Sequence, residues 1–114
     1  MARAGLNGRI HKSLTFQTPA SPKKLVQSVA RAIGRWREEA AHAGAPEFRR
    51  IGIAIPGHVD APAGRILWAP THTELTDFPI AREIFEQTGI ETLADNDCNL
   101  GALSELWLAK ERNP

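Results

Sequence analysis

The sequence predicts an α/β fold, and three observations support that prediction. Helix-like and strand-like patterns alternate along the 114 residues, as they do in α/β proteins. Residues 51–55 form a nearly continuous apolar run, which is typical of a parallel strand covered on both faces. Polar residues follow this run and a second apolar run at residues 90–94. In open α/β sheets, ligands bind at such strand ends.

The composition is that of an ordinary globular protein, with 42% hydrophobic and 24% charged residues. A net charge of +1 gives no bulk attraction to nucleic acids or anionic membranes. No apolar run approaches the roughly 20 residues of a membrane span, and no signal peptide is evident at the N-terminus. The single cysteine, Cys98, excludes an internal disulfide and a cysteine-based zinc cluster. We therefore expect one domain, or part of one, in the cytoplasm.

The first 44 residues predict a hairpin and a long helix. Asn7-Gly8 suits a type I′ turn, followed by a strand through residues 10–16. Ser21-Pro22 predicts a helix start, with Ser as N-cap and Pro in the first position. This helix is expected to end near Ala43, before Gly44. The residues predicted to face inward are Leu25, Val26, Val29, Ala30, Ile33 and Trp36.

The basic residues of this helix raise the question of a nucleic-acid surface. Glu38 and Glu39 interrupt the basic face, and no second recognition helix follows it. We therefore interpret it as a solvated face.

The second half predicts short elements in alternation. A helix begins at Pro79 and ends at Gly89, with Ile80, Ile84 and Phe85 inward. The other predicted elements are a strand at 51–55, a turn at 62–64, a strand at 65–68, a loop at 69–78, a strand at 90–94 and an amphipathic helix at about 100–110.

Two strand ends carry candidate chemistry. In the first, residues 56–60, Gly57 would allow the backbone to approach a ligand, although a plain turn is the favoured interpretation of this segment taken alone. In the second, Asp95-Asn96-Asp97-Cys98-Asn99, Asp97 lies at the expected helix start, near the positive end of the dipole. Asn96 can donate and accept hydrogen bonds, which suits a sugar hydroxyl.

A carboxylate that takes a proton from a fixed hydroxyl is the arrangement that phosphoryl transfer requires. Two alternatives stay open for the second strand end. Asp95 or Asn96 could simply cap the helix, or the cluster could coordinate a cation.

Taken together, the two motifs resemble the ROK family of sugar kinases and sugar-responsive transcriptional repressors. The similar segments are residues 51–60, 64–70, 78–80 and 95–105, and their order and spacing fit over residues 51–108. The resemblance implies an actin-like ATPase (ribonuclease H-like) fold of two lobes, with sugar bound between them. It makes residues 1–114 a single partial domain of the N-terminal lobe.

The resemblance also implies roles for four residues. Asp97 matches the catalytic base, which deprotonates the sugar hydroxyl that attacks the γ-phosphate of ATP. Asn96 matches a sugar-hydroxyl contact, and Gly57 matches a backbone neighbour of the sugar. Thr71 falls where the family usually has Asn, which is another sugar contact. The expected ligand is a hexose or an N-acetyl hexosamine.

Several parts of the family pattern have no match here. We expect the lobe to lack its first strand, with the Asp-x-Gly-Gly phosphate loop, and to lack the second lobe. The chain would then hold no cofactor, while ATP and Mg²⁺ are expected for a full-length kinase relative. It would be inactive alone. The strand at residues 51–55 would then have an uncovered edge, which favours association, so a homodimer is one expectation. Contact with nucleic acid or a membrane is not expected.

Two alternatives to the kinase half-site remain. One is a fragment of the inducer-sensing domain of a sugar-responsive repressor, favoured by Thr71 in place of Asn and Asp95 in place of Glu. The other is a stand-alone scaffold, which rests only on the missing ATP machinery.

Overall fold

The computed structural model describes residues 1–4, 10–15, 17–19, 21–44 and 48–101. Within these ranges, two helices and six strands alternate, and residues 97–101 begin a further helix. The elements are β1 (Ala2–Ala4), β2 (Ile10–Ser13), α1 (Pro22–His42), β3 (Arg50–Ile55), β4 (His58–Asp60), β5 (Arg65–Trp68), a 3-10 helix (Thr73–Leu75), α2 (Ile80–Thr88) and β6 (Glu91–Asn96).

The hairpin and the long helix near the N-terminus are confirmed. Strands β1 and β2 pair antiparallel, while the Asn7-Gly8 turn and Phe16 lie outside the described residues. At the start of α1, the Ser21 hydroxyl accepts a hydrogen bond from the Lys24 backbone N–H at 3.4 Å. The predicted N-cap and proline therefore set this helix end, because both act within the first turn.

Strands β3 and β6 pair in parallel, in a register that runs from Arg50 opposite Glu91 to Ile55 opposite Asn96. The predicted parallel strand is confirmed. The prediction that both of its faces are covered is wrong for the described part of the chain. Both helices pack on the face that carries Ile55 and Ala94. The opposite face is open: Gly52 and Ala54 are exposed, and Leu93 is 53% exposed.

The core lies between this sheet, the two helices and β5. A hydrogen bond from the Arg37 guanidinium to the Thr88 carbonyl, at 2.8 Å, also joins the two helices. The core residues are Val26, Ile55, Ile66, Ala69, Leu75, Ile80, Ile84 and Ala94.

Phe85 does not belong to this core, so its predicted inward position is wrong. Ile80, Ala81 and Ile84 are buried on α2, whereas Phe85 is 50% exposed. Successive helix residues are rotated by about 100°, which places Phe85 just beyond the arc spanned by the three buried residues. The small Ala81 occupies the inward position instead.

A two-stranded ribbon follows β3. Strands β4 and β5 pair antiparallel, and Ile66 of β5 also exchanges two backbone hydrogen bonds with Phe78, at 2.8 and 3.0 Å. The predicted strand at residues 65–68 is confirmed, but β4 was not predicted. Three residues are too few to show a period of two, and β4 becomes recognisable only through its pairing with β5.

No helix in the described ranges is both long enough and apolar enough to span a membrane.

Candidate functional site

The two polar strand ends predicted to lie together do meet. Because β3 and β6 are parallel and Ile55 lies opposite Asn96, both strands end at the same edge of the sheet. There the Asn96 side-chain amide donates a hydrogen bond to the carbonyl of Gly57. This bond fixes the segment after β3 against the end of β6.

Asn96 also caps the helix that begins at Asp97. Its Oδ1 accepts hydrogen bonds from the backbone N–H groups of Cys98, at 2.8 Å, and Asn99, at 3.3 Å. These two bonds occupy both lone pairs of that oxygen, and the bond to Gly57 uses one of the two amide hydrogens. Asn96 is therefore mainly a brace and a cap, with a single N–H left for a ligand.

Asp95 is the second residue of this motif that is engaged internally. Strand β6 extends through Asp95 and Asn96, two residues further than predicted, so their side chains lie on opposite faces of the sheet. One Asp95 carboxylate oxygen accepts from the Asn96 backbone N–H at 2.7 Å and from the Asn99 side-chain amide at 3.3 Å. Asp95 thus supports the helix start from the other face.

Asp97 is the acidic residue whose side chain is left available. It is exposed and is the first helical residue, at the positive end of the helix dipole. Among the residues that the structure describes, none donates a hydrogen bond to its side chain. The site thus offers one carboxylate, held in place by its backbone and open to an incoming hydroxyl.

Close packing of the protein's own backbone explains why a glycine is required at position 57. A Cβ atom at this position would overlap the carbonyl oxygen of Trp68 and lie 3.0 Å from the Cα of Ala69. Glycine therefore permits the segment after β3 to pack against the end of β5. The approach of a ligand to Gly57 stays a prediction.

Thr71 lies on the loop that follows β5, two residues after Ala69, whose backbone packs against Gly57. It is exposed, and its hydroxyl is 3.1 Å from Nδ1 of His72. Within the described ranges, no hydrogen bond joins Thr71 to Asn96 or Asp97. The structure therefore brings Gly57, Asn96 and Asp97 together directly, while Thr71 adjoins them only through the loop.

Two side-chain pairs that involve the β4–β5 ribbon were not predicted. The rings of His58 and Trp68 stack across the β4–β5 ribbon, with centroids 5.8 Å apart and an interplanar angle of 23°. Arg65 binds Asp77 at 2.7 Å. The hydrogen bond from Arg65 holds the pKa of the Asp77 carboxyl below its usual value. No sequence pattern indicates either pair before the strand register is known.

The family is established by a match over nearly the whole chain. The model of the ROK family matches residues 2–113. The chain belongs to the ROK family. The resemblance of its two strand-end motifs is therefore confirmed, and the family includes both kinase and repressor relatives.

Two ROK relatives represent those two branches. The chain is 35% identical over 57 residues to the glucokinase of Halalkalibacterium halodurans, a match that covers 50% of the chain and 17% of that protein. It is 30% identical over 60 residues to the xylose repressor of Caldicellulosiruptor bescii, covering 53% of the chain and 15% of that protein. The chain thus aligns with about a sixth of the length of each relative.

Solved ROK structures establish the fold. The ROK hexokinase of Thermus thermophilus superposes with a TM-score of 0.69 at 31% identity, covering 85% of this chain and 31% of the hexokinase. A ROK transcriptional regulator described as a homologue of the E. coli MLC protein gives a TM-score of 0.71 at 22% identity, covering 84% and 24%. These proteins have actin-like ATPase folds, and the chain has part of that fold.

Proposed function

We propose that Gly57, Thr71, Asn96 and Asp97 form one side of a sugar site in a protein related to ATP-dependent hexose kinases. Members of the ROK family bind sugars. The observation that supports this site best is the exposed Asp97 carboxylate at a helix start, beside a strand end that Asn96 ties to Gly57. A fixed carboxylate with a free face suits a sugar hydroxyl.

In the proposed reaction, Asp97 acts as general base. Its carboxylate accepts the proton of a sugar hydroxyl as that oxygen attacks the γ-phosphate of ATP. Asn96 contributes chiefly by holding the strand end and capping the helix, so that the carboxylate is fixed before the sugar arrives. Its remaining N–H is available to the same or a neighbouring hydroxyl.

The sugar itself is proposed more broadly. A hexose or N-acetyl hexosamine suits the kinase relatives, and a pentose such as xylose suits the repressor relative. ATP and Mg²⁺ stay predictions for a full-length kinase relative. Among the described residues, no group of three or more His, Cys, Asp or Glu side chains is placed to hold a metal ion.

The alternative is part of the inducer-sensing domain of a sugar-responsive repressor. The similarity to a xylose repressor favours it, as does Thr71 at the usual Asn position. In that case the same residues bind sugar, and Asp97 accepts a hydrogen bond from a sugar hydroxyl but does not remove the hydroxyl proton. Both hypotheses require sugar binding, and only the first requires a base.

Sugar titration tests the shared part of the proposal. Trp68 is 48% exposed and its backbone packs on Gly57, so its fluorescence should respond to glucose, N-acetylglucosamine or xylose. We expect Asp97→Asn to weaken binding about tenfold, because a hydrogen bond to a charged acceptor is lost. Cys98→Ser, one residue along the same helix, should bind as the wild type does.

A flat response of the wild type to all three sugars, by fluorescence and by calorimetry, would contradict the proposed site. Equal weakening by Asp97→Asn and Cys98→Ser would place the effect in the helix start rather than in the carboxylate.

A separate experiment addresses phosphoryl transfer. We predict that the 114-residue chain alone does not phosphorylate glucose above background, since none of the four site residues is assigned to ATP. ATP-dependent formation of glucose phosphate by the purified chain, abolished by Asp97→Asn, would refute this prediction and support a complete kinase. A cytoplasmic location and a homodimer also stay predictions.

A further inference from the structure

Residues 69–77 form a closed loop that begins after β5 and ends before Phe78, which pairs with Ile66 of β5. The backbone N–H of Asp77 donates to the Leu67 carbonyl at 3.3 Å, next to the paired hydrogen bonds between Ile66 and Phe78. The two ends of the loop are therefore adjacent, as in a compact Ω-loop. Thr71 lies within this 69–77 loop, on its exposed surface.

The interior of the loop is ordered by short-range bonds. His72 N–H donates to the Ala69 carbonyl at 3.1 Å, and Leu75 N–H donates to the His72 carbonyl at 2.9 Å. Ala69 and Leu75 are buried in the core. Local hydrogen bonds and the core contacts of these two residues therefore order the interior of the loop.

Arg65 closes those ends with two hydrogen bonds. Its Nε donates to Oδ1 of Asp77 at 2.7 Å, and its Nη2 donates to the Asp77 backbone carbonyl at 3.1 Å. A guanidinium that binds a side chain and the backbone of one residue fixes orientation as well as distance. The Arg65–Asp77 clamp therefore fixes the returning end of the loop against β5.

Asp77 meets two requirements at once. Its φ is +57°, a left-handed conformation that Gly, Asn and Asp tolerate better than other residues. Its carboxylate also accepts the Arg65 hydrogen bond. Glycine would satisfy the first requirement only, while asparagine would satisfy the first and keep a neutral acceptor.

The position of the clamp argues against a general stabilising role. The Arg65 and Asp77 side chains are 38% and 72% exposed, and exposed ion pairs contribute little to the stability of a fold. A comparable exposed pair, Arg82 with Glu86 on α2, lies at 3.0 Å away from the loop. It supplies a matched control.

We propose that Arg65 and Asp77 are positioning residues, which hold the 69–77 loop so that Thr71 faces the sugar. The inference rests on the proposed sugar site, and it adds to that site two residues that no sequence motif indicates. It also makes the clamp a determinant of which sugar the site binds. Thr has a shorter reach than Asn, so a hydrogen bond from Thr71 depends more strongly on where the loop is held.

The first measurement follows the loop without any sugar. Backbone hydrogen exchange of residues 71–76 should be faster in Asp77→Gly than in the wild type, because the loop loses part of its closure. Asp77→Asn should lie between them, and Arg82→Gln should match the wild type. Unchanged exchange in Asp77→Gly would overturn the clamp.

The second measurement is a double-mutant cycle with glucose as ligand. Thr71→Val and Asp77→Gly should each weaken binding about fivefold. If the clamp acts through Thr71, the double variant should be hardly weaker than either single variant. Effects that simply multiply would overturn the positioning role, since general loosening of the fold affects binding independently of Thr71.

The two measurements separate the inference from the proposed function. If the wild type binds no sugar but Asp77→Gly still releases the loop, the proposed function fails and the clamp remains a structural device. If the wild type binds sugar and the two variants act independently, the sugar site stands and the positioning inference fails.

Discussion

The helix-covered core and the strand-end site are held by different kinds of interaction. In the core, side chains such as Ile66 and Ile84 are fully buried, within a cluster of apolar residues from both helices, three strands and the 3-10 helix. At the site, Asn96 and Gly57 are held by backbone contacts and hydrogen bonds, and Asp97 is left exposed. The proposed site is half-buried at Gly57 and Asn96 and exposed at Asp97.

The difference shows what each region tolerates. Apolar packing depends on volume and is spread over many atoms, so its cost follows the size of the cavity that a substitution creates. A hydrogen-bonded strand end depends on a few atoms in fixed directions, so a substitution of similar size can be harmless or severe. Substitutions in the two regions should therefore separate effects on stability from effects on ligand binding.

The largest expected effect lies in the core. Ile84→Ala should lower the free energy of unfolding by about 4 kcal/mol, because it removes a fully buried side chain and leaves a cavity. The neighbouring Phe85→Ala should cost about 1 kcal/mol or less, since Phe85 is 50% exposed. Urea denaturation followed by circular dichroism measures both. Equal costs for the two variants would contradict the observed rotation of α2.

The contrast between Ile84 and Phe85 also shows what the sequence could predict. The ends of α1 and the bounds of β5 follow from local signals: a cap, a proline and short apolar runs. The inward arc of α2 depends on where the sheet lies, so periodicity alone did not exclude Phe85. The open face of β3 escaped prediction for the same reason, because both helices pack on one side.

For the candidate site, the sequence predicted which strand ends meet and that Asn96 could cap the helix, but not that Asn96 ties β6 to Gly57. Parallel pairing of β3 and β6 was enough to bring the two motifs to one edge. The role of Asn96 as a brace depends on the Gly57 carbonyl, which lies 39 residues away along the chain. Similarly, Gly57 was predicted to admit a ligand, whereas its nearest contacts are backbone atoms of Trp68 and Ala69.

Gly57→Ala should have the next largest effect. The added methyl group would overlap the backbone of Trp68, which can yield only if the β4–β5 ribbon moves. We expect a loss of about 3 kcal/mol, at the upper end of the usual cost of overpacking. Gly52→Ala provides the control, because a methyl group there meets no atom within 4 Å. Similar thermal melting of the two alanine variants would mean that the ribbon does not pack on Gly57.

Asn96→Ala should be intermediate. It removes the helix cap and the bond to Gly57 together, at a cost of about 2 kcal/mol. Asn96→Asp keeps an acceptor for the cap but replaces the amide donor, so its carboxylate faces the Gly57 carbonyl. If the brace matters, Asn96→Asp should also be destabilised and should weaken glucose binding. An Asn96→Asp variant as stable as the wild type would reduce Asn96 to a cap.

The smallest effect should come from the Arg65–Asp77 clamp, and pH reveals it. Because Arg65 lowers the pKa of Asp77 in the folded state, the pair adds a small stabilisation at neutral pH. That contribution is fully present above the unfolded pKa of about 3.9 and is lost as pH falls through the lower folded value. Asp77→Asn has no such contribution.

The wild type should therefore melt slightly above Asp77→Asn at pH 6, and the difference should shrink as pH falls below the unfolded pKa of about 3.9. Thermal melting of both proteins between pH 6 and pH 2.5 measures this difference directly, and the other carboxylates affect both proteins alike. A difference that stays constant across this range would show that Asp77 acts through its neutral hydrogen bonds or its left-handed backbone. The charge of Asp77 would then play no part in closing the 69–77 loop.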